Sequence, residues 1–169
     1  DWAMFYNSKG NFNTGLGGRA LYNNTTGVAN SATGLSSLFN TKTGNYNSAF
    51  GFNSGVTNIS GSKNTLFGAF ADVTDNNLIN AGAIGYNAKV SASNSFVIGG
   101  TGADDVNVGV GIISPVEKLD INGAIKINSA QYSGIINNAP TPVPAGGAGT
   151  IVYYDTHFFG WNGTVWKQL

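Results

Sequence analysis

Gly10-Asn11-Phe12-Asn13-Thr14-Gly15-Leu16-Gly17 is followed by Gly27-Val28-Ala29-Asn30-Ser31-Ala32-Thr33-Gly34, then Gly44-Asn45-Tyr46-Asn47-Ser48-Ala49-Phe50-Gly51, then Gly61-Ser62-Lys63-Asn64-Thr65-Leu66-Phe67-Gly68. Glycine stands at both ends of each phrase, with asparagine fourth and serine or threonine fifth, and each phrase begins seventeen positions after the last. A fixed period of this length marks stacked copies of one unit, because each copy buries its faces only against its neighbours. Within a unit the apolar residues alternate or form short clusters bounded by Asn, Thr and Gly, as in Ala49-Phe50-Gly51-Phe52. That pattern reads as two short strands and two tight turns per coil.

Parallel coils rise by about 4.8 Å, so equivalent residues lie over one another. An inward asparagine then donates to and accepts from its copies, and Asn13, Asn30, Asn47 and Asn64 are expected to form an amide ladder that satisfies buried polar groups. Gly17, Gly34, Gly51 and Gly68 are expected at a tight corner or a close approach of backbones. Solenoids reuse such positions regularly, which favours a structural over a catalytic role for all eight residues.

Composition agrees with a repetitive β structure. Charged residues are 9% of the 169, against about a quarter in ordinary domains, and there are 25 glycines. The formal net charge is 0 and the eight basic residues are scattered, which argues against nucleic acid as a partner. There is no cysteine, so disulfides and cysteine-based metal or nucleophile chemistry are excluded. No run approaches the roughly 18 apolar residues of a membrane helix, and membrane insertion is not expected. Asp1 falls in the middle of a repeat, since Ala3, Met4, Phe5 and Gly10 lie under Ala20, Leu21, Tyr22 and Gly27; the expectation is a longer protein upstream.

The phrase then weakens. Gly85 keeps the register of Gly68, Ala81 takes the asparagine position, and the step to Gly99 shortens to fourteen. The solenoid is assigned to residues 1–100. Units such as Asn47-Ser48-Ala49-Phe50-Gly51-Phe52-Asn53-Ser54 and Ala83-Ile84-Gly85-Tyr86-Asn87-Ala88 resemble the head repeats of trimeric autotransporter adhesins, which also occur in phage tail fibres and bacterial surface fibre proteins. The resemblance implies a left-handed parallel β-roll in each subunit, a homotrimer, and an extracellular role in attachment. Against the family's minimal repeat of fourteen the first coils carry three extra residues, assigned to an outer loop such as Asn23–Thr26 or Thr41–Thr43.

Residues 101–130 change character. Thr101–Asp105 is a polar break, and Leu119, Ile121, Ile125 and Ile127 alternate around Asn122-Gly123, a strong hairpin signal. The run Gly109-Val110-Gly111 to Pro115-Val116-Glu117-Lys118-Leu119-Asp120-Ile121-Asn122-Gly123 resembles a junction module of phage fibres and surface proteins, which implies a trimeric neck with Glu117, Lys118 and Asp120 in solvated or inter-subunit pairs. Residues 131–149, with Pro140, Pro142 and Pro144, read as a stiff linker released by glycines. Residues 150–169 hold three strand signals, with a turn at Asn162-Gly163, and form a small antiparallel meander that needs copies of itself to be stable.

Catalytic readings are weak. His157, the sole histidine, has no G-x-S-x-G, H-E-x-x-H or clustered carboxylate motif for company and reads as a turn residue. Asp104 and Asp105, with Asp72 and Asp75, lack calcium-loop spacing. The Asn-x-Ser/Thr sequons at Asn23, Asn24, Asn58 and Asn162 matter only in a eukaryotic secretory pathway. An ice-binding row is broken, since positions 25, 42, 59 and 76 read Thr, Lys, Ile and Asn. The aromatic end is the candidate binding site: Tyr154, Phe159, Trp161 and Trp166 suit sugar rings, and the competing reading makes these aromatics the core of a trimer.

The sequence is therefore expected to encode an all-β chain with a β-roll head, a strand-rich neck and a small antiparallel β tip. It is read as a non-enzymatic homotrimeric fibre, of a phage tail or an injection system, that recognises a cell-surface glycan or protein receptor. No metal or cofactor is expected. A bacterial cell-surface adhesin and a fibre-borne polysaccharide depolymerase are the alternatives, the latter requiring paired carboxylates in a groove.

Overall fold

The computed structural model describes residues 2–100 and 102–123, and the strands Ile151–Tyr154, His157–Trp161 and Trp166–Gln168. Two units divide at Asn122 and Gly123. The expected 131–149 linker, the Ile125 to Ile127 half of the Asn-Gly hairpin and the turn at Asn162-Gly163 lie outside the described residues.

The first unit is a parallel β-solenoid of about five turns. Strands β1 (Thr14–Leu16), β2 (Ser31–Thr33), β3 (Ser48–Phe50) and β4 (Thr65–Phe67) follow at the repeat period. The stack continues through β6 (Gly82–Ile84) and β8 (Phe96–Ile98). Registration is residue on residue: Gly15, Ala32, Ala49, Leu66, Ala83 and Val97 form the middle row. That row faces inward, while its neighbours face out, the period-two alternation of a strand with one buried face.

The core is correspondingly thin. Leu21, Leu38, Leu66, Val73, Leu78 and Val90 are its large apolar residues, surrounded by alanines at positions 20, 32, 49, 71, 81, 83 and 88. Small side chains let opposite walls of each coil approach, so backbone ladders and buried amides share the work that a large apolar core does elsewhere.

The corners need glycine. Gly17, Gly34, Gly51 and Gly68 have φ between 122° and 134°, and a Cβ on Gly17 would lie 2.8 Å from the backbone of Gly34, on Gly34 2.5 Å from that of Gly51. Less expected, the residue before each ladder asparagine is also left-handed whatever its type: Phe12, Ala29, Tyr46 and Lys63, with Asn80 and Asn94 at the equivalent positions further on, have φ of 55–61°.

Two strands per coil are expected from the sequence, but only the lower coils have both. A second face, β5 (Asp72–Val73) beside β7 (Lys89–Val90), forms at that level, whereas the same positions higher up are turns. β5 and β7 pair at the full repeat step, Asp72 on Lys89, while β6 and β8 pair at the shortened one, Gly82 on Phe96; the three residues lost from the last coil therefore fall between Val90 and Phe96. The equivalent extra residues in the upper coils lie within 23–27, 40–44 and 57–61.

Below β8 come a 3-10 turn at Gly102–Asp104 and a parallel pair of strands, β9 (Val108–Val110) and β10 (Leu119–Ile121). The second unit is an antiparallel meander of β11 (Ile151–Tyr154), β12 (His157–Trp161) and β13 (Trp166–Gln168).

Candidate functional site

Both ends of each ladder amide are used. Asn13, Asn30, Asn47 and Asn64 accept at Oδ1 from the backbone N–H of Asn30, Asn47, Asn64 and Ala81, one coil further on, at 2.9–3.0 Å. Their Nδ2 groups donate to the carbonyls of Gly27, Gly44, Gly61 and Leu78 at 2.8–2.9 Å. The bonds thus run mainly from amide to backbone rather than amide to amide; Asn47 Nδ2 to Asn30 Oδ1, at 3.0 Å, is the exception among the four. Ala81 can end the column because all that Asn64 asks of it is a backbone N–H.

A second amide column lies inside the extra residues. Asn24 donates to Asn7 Oδ1 and to the Gly27 carbonyl, and Asn58 to the Gly61 carbonyl. Thr41 occupies the intervening position, and its hydroxyl donates to the Asn58 carbonyl. Asn24 Oδ1 and Asn58 Oδ1 are buried without a partner. Sequence reading missed this column because Thr41 breaks its period; Asn7, Asn24 and Asn58, all in one register of the repeat, were the available signal. Burial also closes Asn24 and Asn58 to modification, and Asn23 is half-buried and donates to Asn40 Oδ1.

The outer face of the six-stranded sheet exposes a column of mostly apolar side chains. Leu16, Thr33, Phe50, Phe67, Ile84 and Ile98 stand in one column, beside Thr14, Ser31, Ser48, Thr65, Gly82 and Phe96. Phe50 and Phe67 stack with centroids 5.0 Å apart, yet remain 52% and 53% exposed. No charged residue occurs in any of the six strands. Thr33 interrupts the column, and beyond it Phe50, Phe67, Ile84 and Ile98 are exposed in successive strands. A separate aromatic stack, Phe5 on Tyr22 on Phe39, runs along the turns of the first coils at 5.5 and 5.2 Å.

Among the described residues the carboxylates do not assemble. Asp104 accepts from Asn87 at 2.8 Å, Asp105 pairs with Lys118 at 2.6 Å, and Asp72 is buried opposite Lys89. Among the described residues no three His, Cys, Asp or Glu side chains converge as a metal site would require. Asp72 is held above the ordinary carboxylate range, chiefly by burial, against the opposing pull of the Thr57 hydrogen bonds and of Lys89.

At the aromatic end, Tyr154 and Phe159 lie on adjacent strands, in register with His157 and Val152 respectively, and Trp161 is in register with Trp166 across β12 and β13. His157 therefore opens a strand rather than sitting in a turn. No protein-family model, curated protein or solved structure matches the chain. Its class is defined by the fold alone: a parallel β-solenoid repeat protein.

Proposed function

We propose that the chain is one subunit of a homotrimeric extracellular fibre for attachment to a host or other surface, with a left-handed β-roll head, a strand-rich neck and a β tip. One observation carries this reading: the charge-free outer column of the sheet, apolar in five of its six strands and broken by Thr33. A half-exposed phenylalanine withholds roughly 100 Å² from burial, about 2.5 kcal/mol at about 25 cal/mol per Å². Two further copies of the chain would cover that column along its whole length and close by rotation, as cyclic oligomers do.

The neck supports the same reading. Val110, Ile113, Val116 and Leu119 are exposed around two strands of three residues each. So small a pair needs neighbours for stability. Among the described residues Asp72, Asp104 and Asp105 each take separate partners rather than pairing in a groove, so attachment is preferred to glycan cleavage. A phage tail fibre or injection-system fibre is preferred to a bacterial surface adhesin because of the junction-like run at Gly109–Gly123 and the aromatic end. Tyr154, Phe159, Trp161 and Trp166 are the proposed contacts for a glycan.

Replacing Phe50 and Phe67 together by glutamate is expected to convert the trimer to monomers in sedimentation velocity, and retention of the trimer would refute the assignment of this face. Trp161→Ala is expected to keep the trimer and abolish binding to cells. Loss of the trimer in that variant would instead place Trp161 in the subunit core.

A further inference from the structure

The apolar residue that fills the core moves one position along the coil between Gly55 and Asp72. At Leu21, Leu38 and Gly55 the backbone is left-handed, with φ of 52°, 50° and 70°, and the two leucines point inward. At the equivalent positions one and two coils beyond Gly55, Asp72 and Lys89 are in strands instead, and Val73 and Val90 now fill the core. Ala71, Asp72 and Val73 are all buried at this level, where a turn-type coil is joined to a strand-type coil.

The backbone ladder on this face changes partners as it approaches this step. Gly55 N–H still donates to the Ala71 carbonyl, and below the step Asp72 N–H reaches Ala88 and Thr74 N–H reaches Val90. In the first coils Tyr6 and Asn23 N–H donate to the Tyr22 and Phe39 carbonyls; in the next coil the Asn40 side-chain amide takes the Val56 carbonyl, and Thr57 N–H is taken by the Asp72 carboxylate, at 3.3 and 3.1 Å to the two oxygens. Oδ1 also accepts from Val73 N–H at 2.9 Å. The residue is 2% exposed, and the cation facing it is Lys89, whose Nζ lies 4.0 Å from Oδ2 and donates to the Phe70 carbonyl at 2.8 Å. A buried carboxylate is costly unless its oxygens do work of this kind.

We propose that Asp72 is the joint of the solenoid, a positioning residue whose carboxylate replaces the missing carbonyl between the two coil types and so fixes where the turn face gives way to the strand face. Amide hydrogen exchange on the full chain tests it. Asp72→Ala removes the acceptor and is expected to speed exchange at Thr57 and Val73 by about tenfold or more, the size of one lost hydrogen bond, while Leu66 and Ala83 in the main sheet stay protected. Asp72→Asn keeps an acceptor oxygen and is expected to preserve protection at Thr57. Equal protection at Thr57 in all three chains, or uniform loss over both faces, would overturn the proposal. The unaltered chain gives a second readout: the Thr57 amide resonance should shift with titration of the Asp72 carboxyl, and an amide that ignores that titration would also overturn it.

Discussion

At the scale of single residues, asparagine rather than leucine organises this interior. Asn47 donates to Gly61 and accepts from Asn64, so Asn47→Leu strands a carbonyl and an N–H together. Each such orphan costs about 1–3 kcal/mol, and urea unfolding should register a loss of at least about 2 kcal/mol. Asn47→Asp separates the two bonds, since a carboxylate still accepts from Asn64 but sets its second oxygen against the Gly61 carbonyl; it should also destabilise, and more at pH 7 than at pH 3. Leu66→Ala, in the thin core, is expected to cost about 2–5 kcal/mol by the same measurement. The ladder asparagines and corner glycines were legible because their types recur at one period. The left-handed residues before each asparagine were not: Phe12, Ala29, Tyr46 and Lys63 are residues that seldom adopt that backbone, and stacking of whole coils holds them there.

At the scale of elements, the sheet is the legible part and the opposite face is not. A constant repeat period puts like residues side by side, which fixes both the parallel direction and the register of the main sheet from β1 through β4 to β6. The switch from turn to strand near Asp72 depends on which coil lies above and below, and no local propensity announces it. The second amide column has a defect whose repair is a prediction. Thr41→Asn would place a donor beside Asn24 Oδ1 and an acceptor beside Asn58, and should raise the thermal midpoint; a lowered midpoint would mean that the threonine bond to the Asn58 carbonyl is the better one. The Asp72 joint has a pH signature. Because its folded-state carboxyl is raised above the unfolded value, the folded chain holds the proton over the interval between the two, and stability from this group falls as pH rises through that interval. Asp72→Asn should remove that decline and leave the chain more stable than the parent above it, as equilibrium unfolding across pH 3 to 7 would record.

At the scale of the whole molecule, the solenoid leaves one face unfinished. Ladder hydrogen bonds close every coil on its neighbours, yet the outer rows of the sheet present Leu16, Phe50, Phe67, Ile84 and Ile98 to solvent with no charge to solvate them. The candidate site at the aromatic end was legible as strands but not as a surface. Its residues pair across the meander in the expected antiparallel order. The most direct measurement is the mass in solution by multi-angle light scattering. A homotrimer gives one species of three chain masses, each 17.4 kDa, that persists on dilution; a stable monomer would refute the proposed assembly.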